Sequence, residues 1–141
     1  MVPWSRTLGI GLRQRLDTIQ RKMVRFANGW RPRSHVGTTE IDAVGWLYFP
    51  DRVKFFKLCH LYKVKMGLAP GYLSRDFVRT RDTHSHSTRG SDFNYSADSH
   101  KFPTNTFHYT VIREWNQLPD ELKEARSLVS FKRDLKRHFL S

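Results

Sequence analysis

Apolar residues recur at alternating intervals of four and three near the start of the chain, at Leu12, Leu16, Ile19, Met23 and Phe26. An α-helix repeats every 3.6 residues, so this spacing lines one stripe of a helix, and Asn28-Gly29 supplies the left-handed step that ends it. The opposite face carries Gln14, Thr18, Arg21 and Arg25, with Lys22 beside them. A second long pattern runs from Pro50 or Asp51 to about Met66. Phe55, Leu58, Cys59, Tyr62 and Met66 form one apolar face, and Val53, Phe56 and Val64 form another, which predicts a helix at the centre of the core. Between the two, Thr38-Thr39-Glu40 cap a short helical turn through Val44, closed by Gly45-Trp46-Leu47.

Gly67 is the expected terminator of the second helix, and Pro70 suits the first turn of a new one. "MGLAPGYL" therefore reads as a corner after which Tyr72, Leu73 and Phe77 dock back on the core. Residues 79–106 are rich in Ser, Thr, Asp, His and Arg and poor in aliphatics, the composition of a long polar irregular loop. The loop leaves room for a short β-hairpin with strands near Phe93–Tyr95 and Phe107–Tyr109. Phe107 to Trp115 also reads as a helical piece, halted by Asn116 and the Leu118-Pro119 step, and Pro119-Asp-Glu-Leu starts another turn. Ser127 caps a last helix whose Leu128, Phe131, Leu135 and Phe139 share a stripe. The expected fold is mostly α, a small helical domain of about five to six helices. An N-terminal basic helix and central core span 1–78, the polar loop 79–106, and a C-terminal helical segment, 107–141, returns to the same core.

Charge changes this picture from a scaffold to a binding surface. The 141 residues hold 25 Lys and Arg against 13 Asp and Glu, a net of +12, for which a polyanion is the natural partner. Residues 1–37 carry eight basic residues and one acid, a net of +7, so the excess is densest there. No stretch of some 18 apolar residues occurs, and the start has no apolar run of signal-peptide length. A single cysteine, Cys59, excludes an intrachain disulfide and a Cys-rich zinc module. An intracellular location, nuclear or cytoplasmic, is expected, with no membrane and no small-molecule substrate.

Catalytic chemistry is hard to build from these residues. The acids are scattered and mostly sit beside Arg or Lys, so no carboxylate dyad emerges. "YSAD" at 95–98 is a poor copy of a polymerase metal-binding signature, because Ser99 stands where a second Asp is required. His84, His86 and His100 share one loop without a Cys or Glu at ligand spacing, and a solvated His-rich loop explains them better than a metal site. Cys59 and His60 are adjacent in a helix and point about 100° apart, which suits a buried structural cysteine rather than a nucleophile pair. No catalytic residue, metal or cofactor is assigned.

Nucleic-acid binding remains. Arg21, Lys22 and Arg25 form a helical ridge continuous in sequence with Arg31 and Arg33, which fits a phosphate backbone. Lys132, Arg133, Lys136 and Arg137 make a second basic face on the last helix, for which an ordinary solvated face is an equal reading. Trp46, Tyr72 and Trp115 have apolar neighbours and are expected in the core rather than stacked on bases.

Five motifs in order carry a resemblance: LDTIQRKMVRFANG at 16–29, VGWLYFPDRVKFFKLCHLYKVKMGLAPGYL at 44–73, STRGS at 87–91, FHYTVIREWNQLPDELK at 107–123 and SLVSFKRDLKRHFL at 127–140. Together they resemble the extreme C-terminal region of reverse transcriptases of jockey-like non-LTR (LINE-type) retrotransposons. The resemblance implies a helical, nucleic-acid-associated extension that follows the palm and thumb of an RNA-directed DNA polymerase. The polymerase aspartates and the endonuclease lie outside this chain, so the expectation is a non-catalytic segment holding template RNA or target DNA. The alternative is a docking module, or a decayed fragment, with the Leu12–Phe26 stripe packed on the polymerase thumb.

Overall fold

Tyr62 ties together the two halves of the chain. Its ring stacks on Phe131 with centroids 4.3 Å apart, and its hydroxyl donates to the Ala125 carbonyl at 2.6 Å. The fold around it comes from a computed structural model, which describes residues 9–79, 93–94 and 106–141. In chain order these form α1 (Ile10–Ala27), α2 (Thr38–Ala43), α3 (Phe49–Lys65), α4 (Gly71–Ser74), β1 (Val78–Arg79), β2 (Phe93–Asn94), α5 (Phe107–Asn116), α6 (Asp120–Lys123) and α7 (Leu128–Leu140). The domain is mostly α, as the periodicity predicts. Among the described residues there are seven helical segments against the expected five to six, α4 and α6 being single turns of four residues each.

α3 is the central helix. Pro50 and Asp51 occupy its first turn and Lys63 and Lys65 its last, which suits both the missing Pro N–H and the helix dipole. Gly67 ends it with φ of 71°, and the Leu68 N–H closes back on the Lys63 carbonyl at 2.8 Å. Burial on α3 is broader than the two predicted faces. Leu58, Cys59, Leu61, Tyr62 and Val64 are buried, because α5 and α7 both pack against it, whereas Phe56 and Met66 are exposed. Trp115 of α5 lies fully inside, tilted against Phe131 and edge-on to Phe93.

β1 and β2 pair antiparallel, Val78 opposite Asn94 and Arg79 opposite Phe93. This corrects the expected hairpin. Phe93 finds its partner on the far side of the polar segment, while Phe107–Tyr109 is the first turn of α5. The corner after Gly67 also differs in detail. Phe77 is buried and Leu73 half-buried, but Tyr72 projects into solvent from the single turn of α4.

α7 forms as its sequence predicts. The Ser127 hydroxyl accepts the Ser130 N–H at 3.1 Å, the Ser130 hydroxyl accepts the Ser127 N–H at 3.2 Å, and two orphan donors are satisfied. Phe131 and Leu135 are buried against α3, with Leu128 and Phe139 at the margin. α2 starts differently from expectation. Gly37 is the cap residue, and the Glu40 carboxylate reaches back to accept its N–H at 2.7 Å.

α1 turns toward the protein a face different from the apolar stripe and the basic face read in its sequence. Of its residues only Val24 is buried, in a small cluster with Val36 and Ile41, and Val24 lies about 120° around the helix from the apolar stripe. The face that meets the protein, Gln20, Val24 and Asp17, lies between the stripe and the polar face, with Arg21 and Arg25 half-buried at its border and Gln14, Thr18 and Lys22 left exposed. Segments 28–37 and 44–48 have backbone groups without helix or sheet partners, and α1 supplies the missing bonds. Gln20 donates to the Leu47 carbonyl at 2.8 Å and accepts the Phe49 N–H at 2.9 Å, Arg25 donates to the Ser34 carbonyl at 2.7 Å, and Arg21 donates to the Val36 carbonyl.

Candidate nucleic-acid interface

The nine cations expected to meet phosphates fall into two groups with different fates. On α7 the buried Phe131 and Leu135 fix the rotation of the helix, and Lys132, Arg133, Lys136 and Arg137 are left on its exposed side. Five residue steps along a helix span about 7.5 Å, so the four cations form one compact ridge. Asp134 sits within that ridge. Its carboxylate accepts from Arg133 Nε at 3.0 Å and is 3.3 Å from Arg137 Nη1. The hydrogen bond from Arg133 holds the Asp134 carboxyl below the usual carboxylate range, with the Arg137 charge adding to the effect. The two arginines are thus partly neutralised where they stand, and Lys132 and Lys136 carry the less encumbered charge.

Lys132 borders α3 as well. Burial pushes the Cys59 thiol up to about 11, against the opposing pull of Lys132 and Lys63. Lys63 of α3, half-buried, is a further cation acting on the same thiol, a residue the sequence pattern did not single out. The signal was available in principle, since Lys63 follows Tyr62 at the edge of the buried arc. The same burial makes Cys59 a protonated core thiol at neutral pH, in keeping with a structural role.

On the N-terminal side the ridge divides. Lys22, Arg31 and Arg33 are exposed. Arg21 and Arg25 instead face the protein and hold the 34–36 carbonyls, and the hydrogen bond that Arg21 Nε donates to the Asp17 carboxylate at 2.8 Å raises the Arg21 pKa. The continuous ridge expected over Arg21, Lys22, Arg25, Arg31 and Arg33 is therefore interrupted at its two half-buried members. Helical spacing correctly put them on one face. It could not tell that the side of that face carrying Arg21 and Arg25 borders the protein.

Two further polar features lie inside. Lys57 of α3 is buried, with its ammonium 3.4 Å from the Glu114 carboxylate and 3.4 Å from the Thr110 hydroxyl of α5. A cavity of about 300 Å³ opens beside this pair, and its charged lining, Arg13, Asp17, Lys54, Lys57 and Glu114, balances closely. His60 and His108 flank Phe77, His108 stacked on it at 4.4 Å, and burial lowers the pKa of both imidazoles.

Among the described residues no group of three or more His, Cys, Asp and Glu side chains could hold a metal ion. His84, His86, His100 and the YSAD stretch lie outside the described residues. No helix among the described residues is long and apolar enough to cross a membrane. Trp46 is half-buried in the α1–α2 cluster and Trp115 is in the main core, whereas Tyr72, expected in the core, is exposed. No family model, no curated protein and no solved structure matches the chain.

Proposed function

We propose that the chain is a non-catalytic nucleic-acid-binding module, the helical C-terminal extension of a non-LTR retrotransposon type of reverse transcriptase, acting where RNA or DNA is handled in the nucleus or cytoplasm. The observation that carries the binding part is the α7 ridge. Four cations stand exposed on one helix whose other face is anchored by Phe131 and Leu135. Such a ridge meets phosphates by displacing condensed counterions, so affinity comes from charge and carries little sequence preference. Lys22, Arg31 and Arg33 add charge on the N-terminal side. The family part rests on the five ordered motifs, chiefly those at 44–73 and 107–123. The test is the salt dependence of binding to RNA and DNA, with and without the α7 lysines.

A second reading, a docking module, has an observation of its own. The apolar stripe of α1 faces solvent rather than the core, with Ile19 52%, Met23 54% and Phe26 90% exposed.

A further inference from the structure

The exposed stripe of α1 has the spacing of a coiled-coil seam. Leu12, Ile19 and Phe26 fall on one core position of a heptad and Leu16 and Met23 on the other, over two full heptads. Only Leu16 is half-buried; the other four are exposed. α1 does not rotate to hide them, because Gln20, Arg21 and Arg25 are bonded to the backbone of residues 34–49. Toward the C-terminal end the stripe deepens into a groove of about 360 Å³, walled by Ile19, Met23 and Phe26 on one side and Trp46 on the other.

The rim identifies the occupant. The heptad positions that flank the seam are Arg13, Gln20 and Ala27 on one edge, where Gln20 is bonded to Leu47 and Phe49 and Arg13 lines the cavity beside Lys57 and Glu114, and the exposed Arg15 and Lys22 on the other, on which the selection of a partner rests. The charges there are all positive. In coiled coils these edges choose the partner, with opposite charges across the seam favoured and like charges opposed. A second copy of this chain offers no acid to the rim, and in an antiparallel pair it sets Lys22 against Arg15. The remaining acid near the seam, Asp17, is engaged by Arg21 at 2.8 Å.

We infer that the α1 groove docks an amphipathic helix of a protein partner, with an apolar 4-3 seam bordered by Asp or Glu. This inference rests on the docking reading; it shares Lys22 with the nucleic-acid one, whose carrying ridge on α7 it does not use. Apolar burial along the seam supplies affinity, and the acidic border supplies selectivity and a dependence on salt.

The test uses the full chain and two synthetic peptides of four heptads with the same apolar seam, one bordered by Glu and one by Lys. Binding is read by fluorescence anisotropy and the state of the chain by sedimentation. The expected result is that the Glu-bordered peptide binds at least about tenfold more tightly than the Lys-bordered one, and that Ile19→Asp and Phe26→Asp each weaken it about tenfold or more. The double variant Arg15→Glu/Lys22→Glu should reverse the preference between the peptides. All these residues are exposed, and unchanged circular dichroism shows that the fold persists. Failure of both peptides to bind overturns the docking reading itself. Equal binding of both peptides overturns the acidic partner. Dimerisation of the chain abolished by Phe26→Asp, or binding to anionic vesicles through the same residues without binding to the Glu peptide, assigns the groove to another occupant and equally overturns the inference. None of these outcomes alters the expectation for Lys132 and Lys136, so the two readings fail separately.

Discussion

Lys57 and Glu114 form an ion pair 3.4 Å apart between α3 and α5, with side chains only 2% and 11% exposed. Neither residue is near the other in sequence, and the Thr110 hydroxyl lies 3.4 Å from the same Lys57 ammonium. Removing one partner costs more than the pair itself contributes, because an uncompensated charge stays buried. Glu114→Ala is therefore expected to lower the unfolding free energy by about 3–5 kcal/mol. Replacing both, Lys57→Met with Glu114→Leu, should recover most of that loss. Urea denaturation of the two variants checks the contrast.

Arg25 gives a smaller effect of a different kind. It donates to the Ser34 carbonyl at 2.7 Å and helps to fix the rotation of α1. Arg25→Ala should destabilise by about 1 kcal/mol, the usual net value of such a bond, and leave the salt slope of nucleic-acid binding unchanged. Denaturation and binding measured on the same variant separate its structural role from phosphate contact.

The contrast between α1 and α7 shows what was legible in the sequence. α7 is specified locally: the Ser127 cap and the Leu128, Phe131, Leu135 and Phe139 stripe decide where it starts and which face it buries. α3 was legible as central, though not Lys57, because its partner lies 57 residues away and no short-range pattern signals it. α1 was legible as a helix with an apolar stripe. Its direction was not, because hydrogen bonds to carbonyls 9 to 27 residues away outweigh the stripe. Of the candidate interface, the α7 cations stand exposed as their spacing predicts, and Arg21 and Arg25 are drawn into structure by the rotation of α1.

Asp134 restrains the α7 ridge. Its carboxylate engages Arg133 and Arg137 and adds a negative charge where phosphate would approach. Asp134→Asn should raise affinity for RNA and DNA by about twofold or more, since exposed ion pairs of this kind contribute little to stability while the charge acts directly on the ligand. Loss of affinity in this variant would mean that the Asp134-bound arginine geometry, rather than net charge, is what the ligand reads.

Acid should weaken the fold through His60 and His108. Burial lowers both pKa values in the folded state; Lys63 lowers that of His60 further, and Asp76 partly offsets the shift at His108. A lowered folded-state pKa means that the unfolded chain takes up protons first as pH falls below about 6.5. Stability from the neutral imidazoles is thus fully present above that pH and is lost as pH drops toward the folded-state values. Urea midpoints at successive pH values should fall in this range, and His108→Leu should flatten the decline.

The most direct test is an anisotropy titration of the folded chain with single-stranded RNA, single-stranded DNA and duplex DNA over a series of salt concentrations. Salt-sensitive binding is expected. For Lys132→Gln/Lys136→Gln the slope of log affinity against log salt should become shallower by about 1.5, two phosphate contacts at 0.7–0.9 each. Binding by a folded chain that is insensitive to salt, no binding at all, or a slope unchanged by the α7 substitutions would contradict the nucleic-acid reading.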